Sequence, residues 1–335
     1  MKLGLVLGYW GARPPERIAE LAQEAEKLGF DSVWSAESWG SDAFSPLVWI
    51  AAHTSTIKLG TGVVQISART PTATAMHALT LDHLSAGRVI LGLGVSGPQV
   101  VEGWYGQPFG KPLARTREYV EIIRRVLARE GPLEFPGEHY AHPYHGPGSV
   151  GLGKPLKSIT HPLRADVPIY LGAEGPKNVA MAAEIAQGWL PLYYSPFRPE
   201  VYAESLKEAP ADFEIAALCN FIITEDVDAA LMPSKASLGF YIGGMGAEGA
   251  NFHTNLMARM GYEHEAHEIQ RLFLEGKRDE AIATVPSSFA DEISLVGPPE
   301  RIRERLQMWE ESAVTTLNVA VQDVDTMRKI AELAL

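Results

Sequence analysis

The 335-residue chain is 46% hydrophobic and 21% charged, the composition of a globular protein built as one large domain or two smaller ones. Its formal net charge of −12 argues against nucleic acid and anionic membranes as partners, since both repel an acidic surface. The single cysteine, Cys219, has no intrachain disulfide partner, and no run reaches the roughly 18 apolar residues of a membrane span. Met1–Gly11 is too short for a signal peptide and lacks its small-residue cleavage pattern, so a cytoplasmic protein is expected.

Lys2–Leu7 reads as a first strand. Pro15–Leu28 follows with Ile18, Leu21, Ala22, Ala25 and Leu28 at helical spacing, closed by Gly29. Asp31–Ser35 is a second strand and Phe44–Thr54 a second helix. Ile57–Val64 is β-branched and apolar, which suits a strand covered on both faces. Thr72–Leu84 carries Ala75, Met76, Leu79 and His83/Leu84 at helical spacing. Pro71 stands ahead of it, where a missing N–H costs nothing, and Ser85-Ala86-Gly87 ends it. Val89–Leu93 is the fourth strand. Strand–helix alternation from the first residue means an α/β fold with a parallel sheet. No GxGxxG fingerprint follows the first strand, because Gly8-Tyr9-Trp10-Gly11 does not fit it. The pattern leaves a barrel and an open sheet both available and favours the barrel. Thr61-Gly62 and Gly92-Leu93-Gly94-Val95-Ser96-Gly97 put small residues at strand ends, where a parallel sheet presents a ligand.

The remainder is less regular. Val95–Leu113 is polar and aromatic, with Trp104, Tyr105 and Phe109. Arg115–Arg129 reads as a helix, Leu133–Tyr140 as a hairpin, and 142–168 as an excursion without periodicity. Ile169–Ala173, Pro176–Ala186 and Gly188–Leu192 resume the alternation, and Glu214–Ile223 is a seventh strand. From Asp226 to Ala290 only His264–Gly276 reads as a helix. Met232–Gly249 looks like a flexible insertion. Ser294–Glu300 leads into a further helix, and Leu317–Val321 and Thr326–Leu335 close the chain. One domain, 1–335, is expected, with insertions near 95–114, 130–168 and 226–290.

Tyr170-Leu171-Gly172-Ala173-Glu174-Gly175-Pro176-Lys177-Asn178 follows a strand and opens a helix. Backbone N–H groups, the helix dipole and Lys177 together suit a phosphate. No metal site is expected. His139, His142 and His145 lie among Gly and Pro, and His264 and His267 are three apart, not the four of HExxH.

Three stretches, LGTGVVQISARTP (59–71), LDHLSAGRVILGLG (81–94) and VSGPQVVEGW (95–104), resemble the luciferase-like monooxygenase superfamily. Within it they are most similar to the branch that uses the deazaflavin coenzyme F420, in an actinobacterial-type subgroup. The resemblance implies a (β/α)8 barrel with inserted loops at its C-terminal face. It also implies an F420-dependent oxidoreductase that moves a hydride between the deazaflavin C5 and a small organic substrate. Thr61, Gly62 and Val63 would support the ring across a cis Gly62–Val63 bond. Gly94, Ser96, Gly97, Gly172, Ala173, Glu174, Gly175, Pro176 and Lys177 would complete the cofactor site. Arg69, Lys111, Arg115 and Lys154, with Lys157 and Lys177, would meet the anionic tail. Glu37 stands in the acidic place after the second strand, with Ser38 where relatives carry a histidine. Glu37 is therefore the candidate acid or base. Trp10, Trp39, Trp104 and Tyr105 would wall the substrate pocket. An FMN-dependent monooxygenase and a non-catalytic flavin-binding relative are the alternatives. A homodimer is expected through the second and third helices, which carry Trp49, Met76 and Leu79.

Overall fold

The computed structural model describes residues 1–8, 10–246 and 251–335. Eight parallel strands form its centre: β1 (Lys2–Val6), β2 (Ser32–Ser35), β3 (Lys58–Thr61), β4 (Val89–Gly94), β5 (Ile169–Gly172), β6 (Gly188–Leu190), β7 (Glu214–Ile223) and β8 (Thr316–Ala320). β1 pairs with both β2 and β8, and β7 pairs with both β6 and β8, so the sheet closes on itself. The result is a (β/α)8 barrel and not an open sheet. Its helices are α1 (Ile18–Leu28), α2 (Phe44–Ala51), α3 (Pro71–Leu84), α4 (Pro112–Ala128), α5 (Pro176–Ile185), α6 (Glu200–Leu206), α7 (Pro299–Glu310) and α8 (Val324–Ala334).

Strand alternation sorts the residues into two cores. Leu3, Leu5, Val33, Leu59, Leu91 and Ile169 face outward and are buried under the helices. Each such side chain contributes about 1.5–3 kcal/mol of transfer free energy. Trp34, Ile90, Tyr170 and Ala216 face inward and fill the lumen, with Val6 and Leu190 above them. The Trp34 and Tyr170 rings, 5.9 Å apart, make a floor. Ion pairs Lys2–Glu214 (2.5 Å) and Lys58–Asp31 (2.8 Å) lie toward the strands' N-terminal ends. The open mouth is thus at the C-terminal ends.

Several elements differ from the sequence reading. The predicted third strand is broken: Lys58–Thr61 and Val64–Gln65 are separate pieces divided at Gly62–Val63. α1 starts at Ile18, not Pro15, because Arg17 adopts a left-handed backbone (φ 58°). Pro98–Gly103 is a short helix inside the passage expected to be loop. The largest correction lies between β7 and β8. Glu263–Leu274 is the helix expected at His264–Gly276, but Val227–Gly244, Phe252–Met257, Arg278–Thr284 and Ser287–Glu292 are helical too, followed by a strand, Ser294–Gly297, beside β7. Met232–Gly244 read as flexible because its small residues mimic a loop. They are contact points instead: a Cβ on Gly244 would lie 2.5 Å from Phe273 Cε1 of the facing helix. Ala247–Gly249 of that expectation lie outside the described residues. Among the described residues no helix is long and apolar enough to cross a membrane.

Candidate active site at the barrel mouth

Glycine occupies the inward position at the top of three neighbouring strands or strand ends: Gly62, Gly94 and Gly172. The space this leaves is taken by one side chain. A Cβ on Gly94 would lie 2.5 Å from Val63 Cγ2, and one on Gly172 would lie 3.2 Å from Val63 Cγ1. Val63 therefore lies over both glycines as a ledge beside the mouth. The Gly62–Val63 bond is cis, the isomer the resemblance implied. Thr61 is fully buried and does not open into the mouth. Its Oγ1 accepts from the Gly92 N–H and donates to the Gly92 carbonyl, each at 2.8 Å, stitching β3 to β4 where the strand breaks.

Glu37 is 4% exposed. Arg69 Nη1 and Nη2 donate to its two oxygens at 2.8 and 2.7 Å, and the N–H groups of Gln65 (3.1 Å) and Ala43 (3.3 Å) donate to the same carboxylate. Gln65 Nε2 also donates to the Glu37 carbonyl at 3.2 Å. A carboxylate that accepts four bonds inside a bidentate pair is an anchor. Glu37, the candidate acid or base, therefore sits inside an ion pair. It clamps the loop after β2, the start of α2 and the residues after Val63 into one unit.

The turn after β5 also rearranges the expected site. Gly175 is the N-cap of α5 with extended backbone and no side-chain cap; Pro176 carries no N–H and the Asn178 and Val179 N–H groups donate to the Gly175 carbonyl at 2.9 and 3.0 Å, which leaves the Lys177 N–H as the first-turn donor without a partner among the described residues. Ala173 turns away, its carbonyl accepting from Trp189 Nε1 at 2.7 Å. The Glu174 carboxyl folds inward. Its Oε1 accepts from the Leu192 N–H at 2.8 Å, and its Oε2 is enclosed with no partner among the described residues. Burial pushes this carboxyl up to about 8, against the opposing effects of the Leu192 N–H and Arg259. The Glu174 side chain, expected in the cofactor site, thus carries an enclosed carboxyl. Two residues that the sequence did not suggest join the turn. Arg259 Nη2 donates to the Glu174 carbonyl at 3.0 Å, and Phe252 Cδ1 lies 3.9 Å from a Cβ built on Gly175. Both come from the helical excursion, 77 or more residues along the chain from Gly175, so no local pattern marks them.

The other basic residues disperse. Arg69 is held by Glu37, Lys111 pairs with Glu138 at 2.8 Å, and Arg115 donates to the Pro108 carbonyl and Ser67 Oγ. Lys154 and Lys157 ride on a strap tied to the outer helices by Arg129, which donates to the Ser158 carbonyl, and by the Arg164–Asp82 pair. Of the expected cluster, Lys177 alone stays beside the cradle. Ser96 adopts a left-handed backbone (φ 59°) and Gly97 caps the helix Pro98–Gly103. Trp39 and Trp104 are 51% and 62% exposed on the loops after β2 and β4, and Trp10 is half-buried after β1. Burial and the nearby Glu37 raise the Tyr105 hydroxyl above its usual range, with Arg69 opposing. His253 is another residue without a sequence signal. Burial pushes its ring down to about 4, edge-on to Tyr193 and Tyr241 at 5.7 and 5.1 Å.

Comparison with known proteins places this geometry. A family model described as luciferase-like monooxygenase matches residues 5–316. A Mycobacterium tuberculosis protein provisionally named a coenzyme F420-dependent oxidoreductase is 54% identical, over 99% of both chains. The 5,10-methylenetetrahydromethanopterin reductase of Methanopyrus kandleri is 28% identical over 91% of this chain and 88% of its own. Among solved structures, the coenzyme F420-dependent tetrahydromethanopterin reductase of Methanopyrus kandleri superposes with a TM-score of 0.78 at 24% identity, covering 99% of this chain and 97% of the other. At that identity the superposition speaks for the fold alone.

Proposed function

The chain belongs to the luciferase-like monooxygenase family, and from that membership we propose that it is a coenzyme F420-dependent oxidoreductase acting on a small organic substrate. The observation that carries the cofactor choice is the 54% identity, over essentially the whole of both chains, to a protein bearing that name. The mouth fits a flat ring: Gly94 and Gly172 leave room for the Val63 ledge, and a Cβ at either position would collide with it or crowd it. When bound there, the deazaflavin supplies hydride transfer at its C5 carbon. The chain's own residues do the rest. Val63 supports the ring, and the Glu37–Arg69 clamp fixes the backbone that carries the ledge. Lys177, with its backbone N–H and its ammonium, and Arg259 hold the phosphodiester at the start of α5. Trp39 and Trp104 fold over the substrate and exclude water. Tyr105, kept neutral by burial, offers an O–H at the rim.

The protein acts as a homodimer in this reading. α2 and α3 expose Val48, Trp49, Met76 and Leu84, and their only charged residue, Asp82, is buried. A charge-free face on so acidic a chain is best covered by a second copy. Titrating the purified protein with F420 and with FMN tests the cofactor reading. F420 is expected to bind at micromolar or tighter concentrations and more tightly than FMN. Tighter FMN binding at moderate salt would overturn it.

A further inference from the structure

The inner face of the barrel mouth is almost free of polar side chains. Above the Trp34–Tyr170 floor, β1 offers Val6, β6 Leu190, β8 Ala320, and β4 and β5 offer glycine. Gln65, opposite Gly94, is buried with its Nε2 on the Glu37 carbonyl, and Asn220 on β7 is the exposed polar side chain. Ala216, Leu218 and Asn220 alternate onto the inner face, while Cys219 and Phe221, 1% and 3% exposed, pack outward in the main core. Asn220 itself is exposed although it lies within a barrel strand.

Its orientation is fixed. Asn220 Nδ2 donates to Ser234 Oγ at 3.0 Å, and Ser234 is 5% exposed in the helix Val227–Gly244. With the amide nitrogen tethered, the side-chain oxygen Oδ1 is left as an acceptor that no described residue engages. Its place in the barrel gives that acceptor a direction. Around eight strands, β7 lies four strands from β3, so Asn220 stands across the mouth from the Val63 ledge. A flat ring resting on the ledge turns its free face toward β7. Whatever reacts at that face lies between the ring and Asn220.

We propose that Asn220 is a substrate-recognition residue and that the substrate is a neutral, mainly apolar molecule bearing a hydroxyl group, whose O–H donates to Asn220 Oδ1. The apolar surroundings disfavour a charged substrate, since the charges on the strands' inner face, Lys2, Lys58 and Glu214, lie at the N-terminal ends below the Trp34–Tyr170 floor. They also make the single acceptor selective. A molecule without the donor would seal Oδ1 away from water unpaired, and such an unpaired group costs far more than a matched hydrogen bond gains. Ser234 is the positioning residue, because it keeps Oδ1 and not the amide nitrogen at the mouth.

The inference rests on F420 occupying the ledge, and the test separates the two. F420 affinity is measured first for the wild type, Asn220→Leu and Ser234→Ala. The F420-loaded proteins are then titrated with a panel of neutral alcohols, cyclohexanol and 1-phenylethanol among them, each beside its methyl ether. The wild type is expected to prefer alcohol over ether by about tenfold or more. Asn220→Leu should abolish that preference at unchanged F420 affinity. Ser234→Ala should reduce the preference, because the freed amide can turn its nitrogen to the mouth. Equal binding of alcohol and ether by the wild type, or a preference that survives Asn220→Leu, overturns the Asn220 assignment alone. Failure of F420 to bind the wild type overturns the cofactor reading and this inference with it.

Discussion

Replacing Glu37 by Gln distinguishes an anchor from a proton carrier. The Glu37 and Arg69 side chains are 3% and 17% exposed, and the carboxylate accepts from both guanidinium nitrogens and from two backbone N–H groups. A glutamine has one acceptor oxygen. Its NH2 must then face one Arg69 nitrogen together with the N–H of either Gln65 or Ala43, donor against donor. Removing one partner of a buried ion pair costs about 3–5 kcal/mol, because the remaining charge stays desolvated. We expect Glu37→Gln to lose about 3 kcal/mol of stability, read as a lower denaturant midpoint at unchanged m-value. Arg69→Met should cost a similar amount. The double variant should cost much less than the sum of the two, which is the signature of one shared interaction. F420 affinity should fall in all three variants, since Gln65 lies two residues from the Val63 ledge. A Glu37→Gln protein with a wild-type denaturant midpoint and unchanged F420 affinity, but turnover lowered roughly 100-fold, would refute the anchor and restore Glu37 as acid or base.

Other substitutions address the ledge, the cradle, the buried carboxyl and the assembly. Gly94→Ala puts a Cβ 2.5 Å from Val63 and should weaken F420 binding at least about tenfold by displacing the ledge. Gly62→Ala meets only Trp34, at 3.4 Å, and should keep the folding midpoint while intruding on the mouth; F420 titrations and thermal melts of both check this. Lys177→Ala and Arg259→Ala should each weaken F420 binding and flatten its dependence on salt, measured as affinity across a salt series. Glu174 stays protonated in the fold to about pH 8, whereas its unfolded form ionises near the usual carboxyl range. Its contribution is therefore complete at acid pH and is lost as pH rises through about 8. Glu174→Gln should flatten that decline in unfolding experiments from pH 5 to 9, and an unchanged slope would count against the buried carboxyl. Trp49→Glu on the charge-free face should turn a dimer into a monomer by light scattering.

The alternation of β-branched runs with amphipathic helices, legible in the residues themselves, sufficed for an α/β fold, because periodicity is local and survives without knowledge of the partners. The small residues at Gly62, Gly94 and Gly172 were legible for the same reason. What they leave room for was not: only closure of the barrel brings Val63 over two glycines from other strands. Glu37 shows the limit most clearly. Its place after β2 is a sequence fact, but its surroundings depend on Arg69, 32 residues away, which donates to both of its oxygens. Glu174 stood in the sequence as a cofactor-site residue, and its enclosed carboxyl was not legible there, because it is the chain after β6 that closes over it. The excursion 226–290 lost its signal through the way it packs. Helices that touch neighbours on several sides carry no single apolar stripe, and the glycines that let them approach look like turns. Arg259, Phe252 and Asn220 have no local signature at all. Their positions at the mouth follow from where the chain returns after long separations, and that is fixed by tertiary contacts between distant side chains.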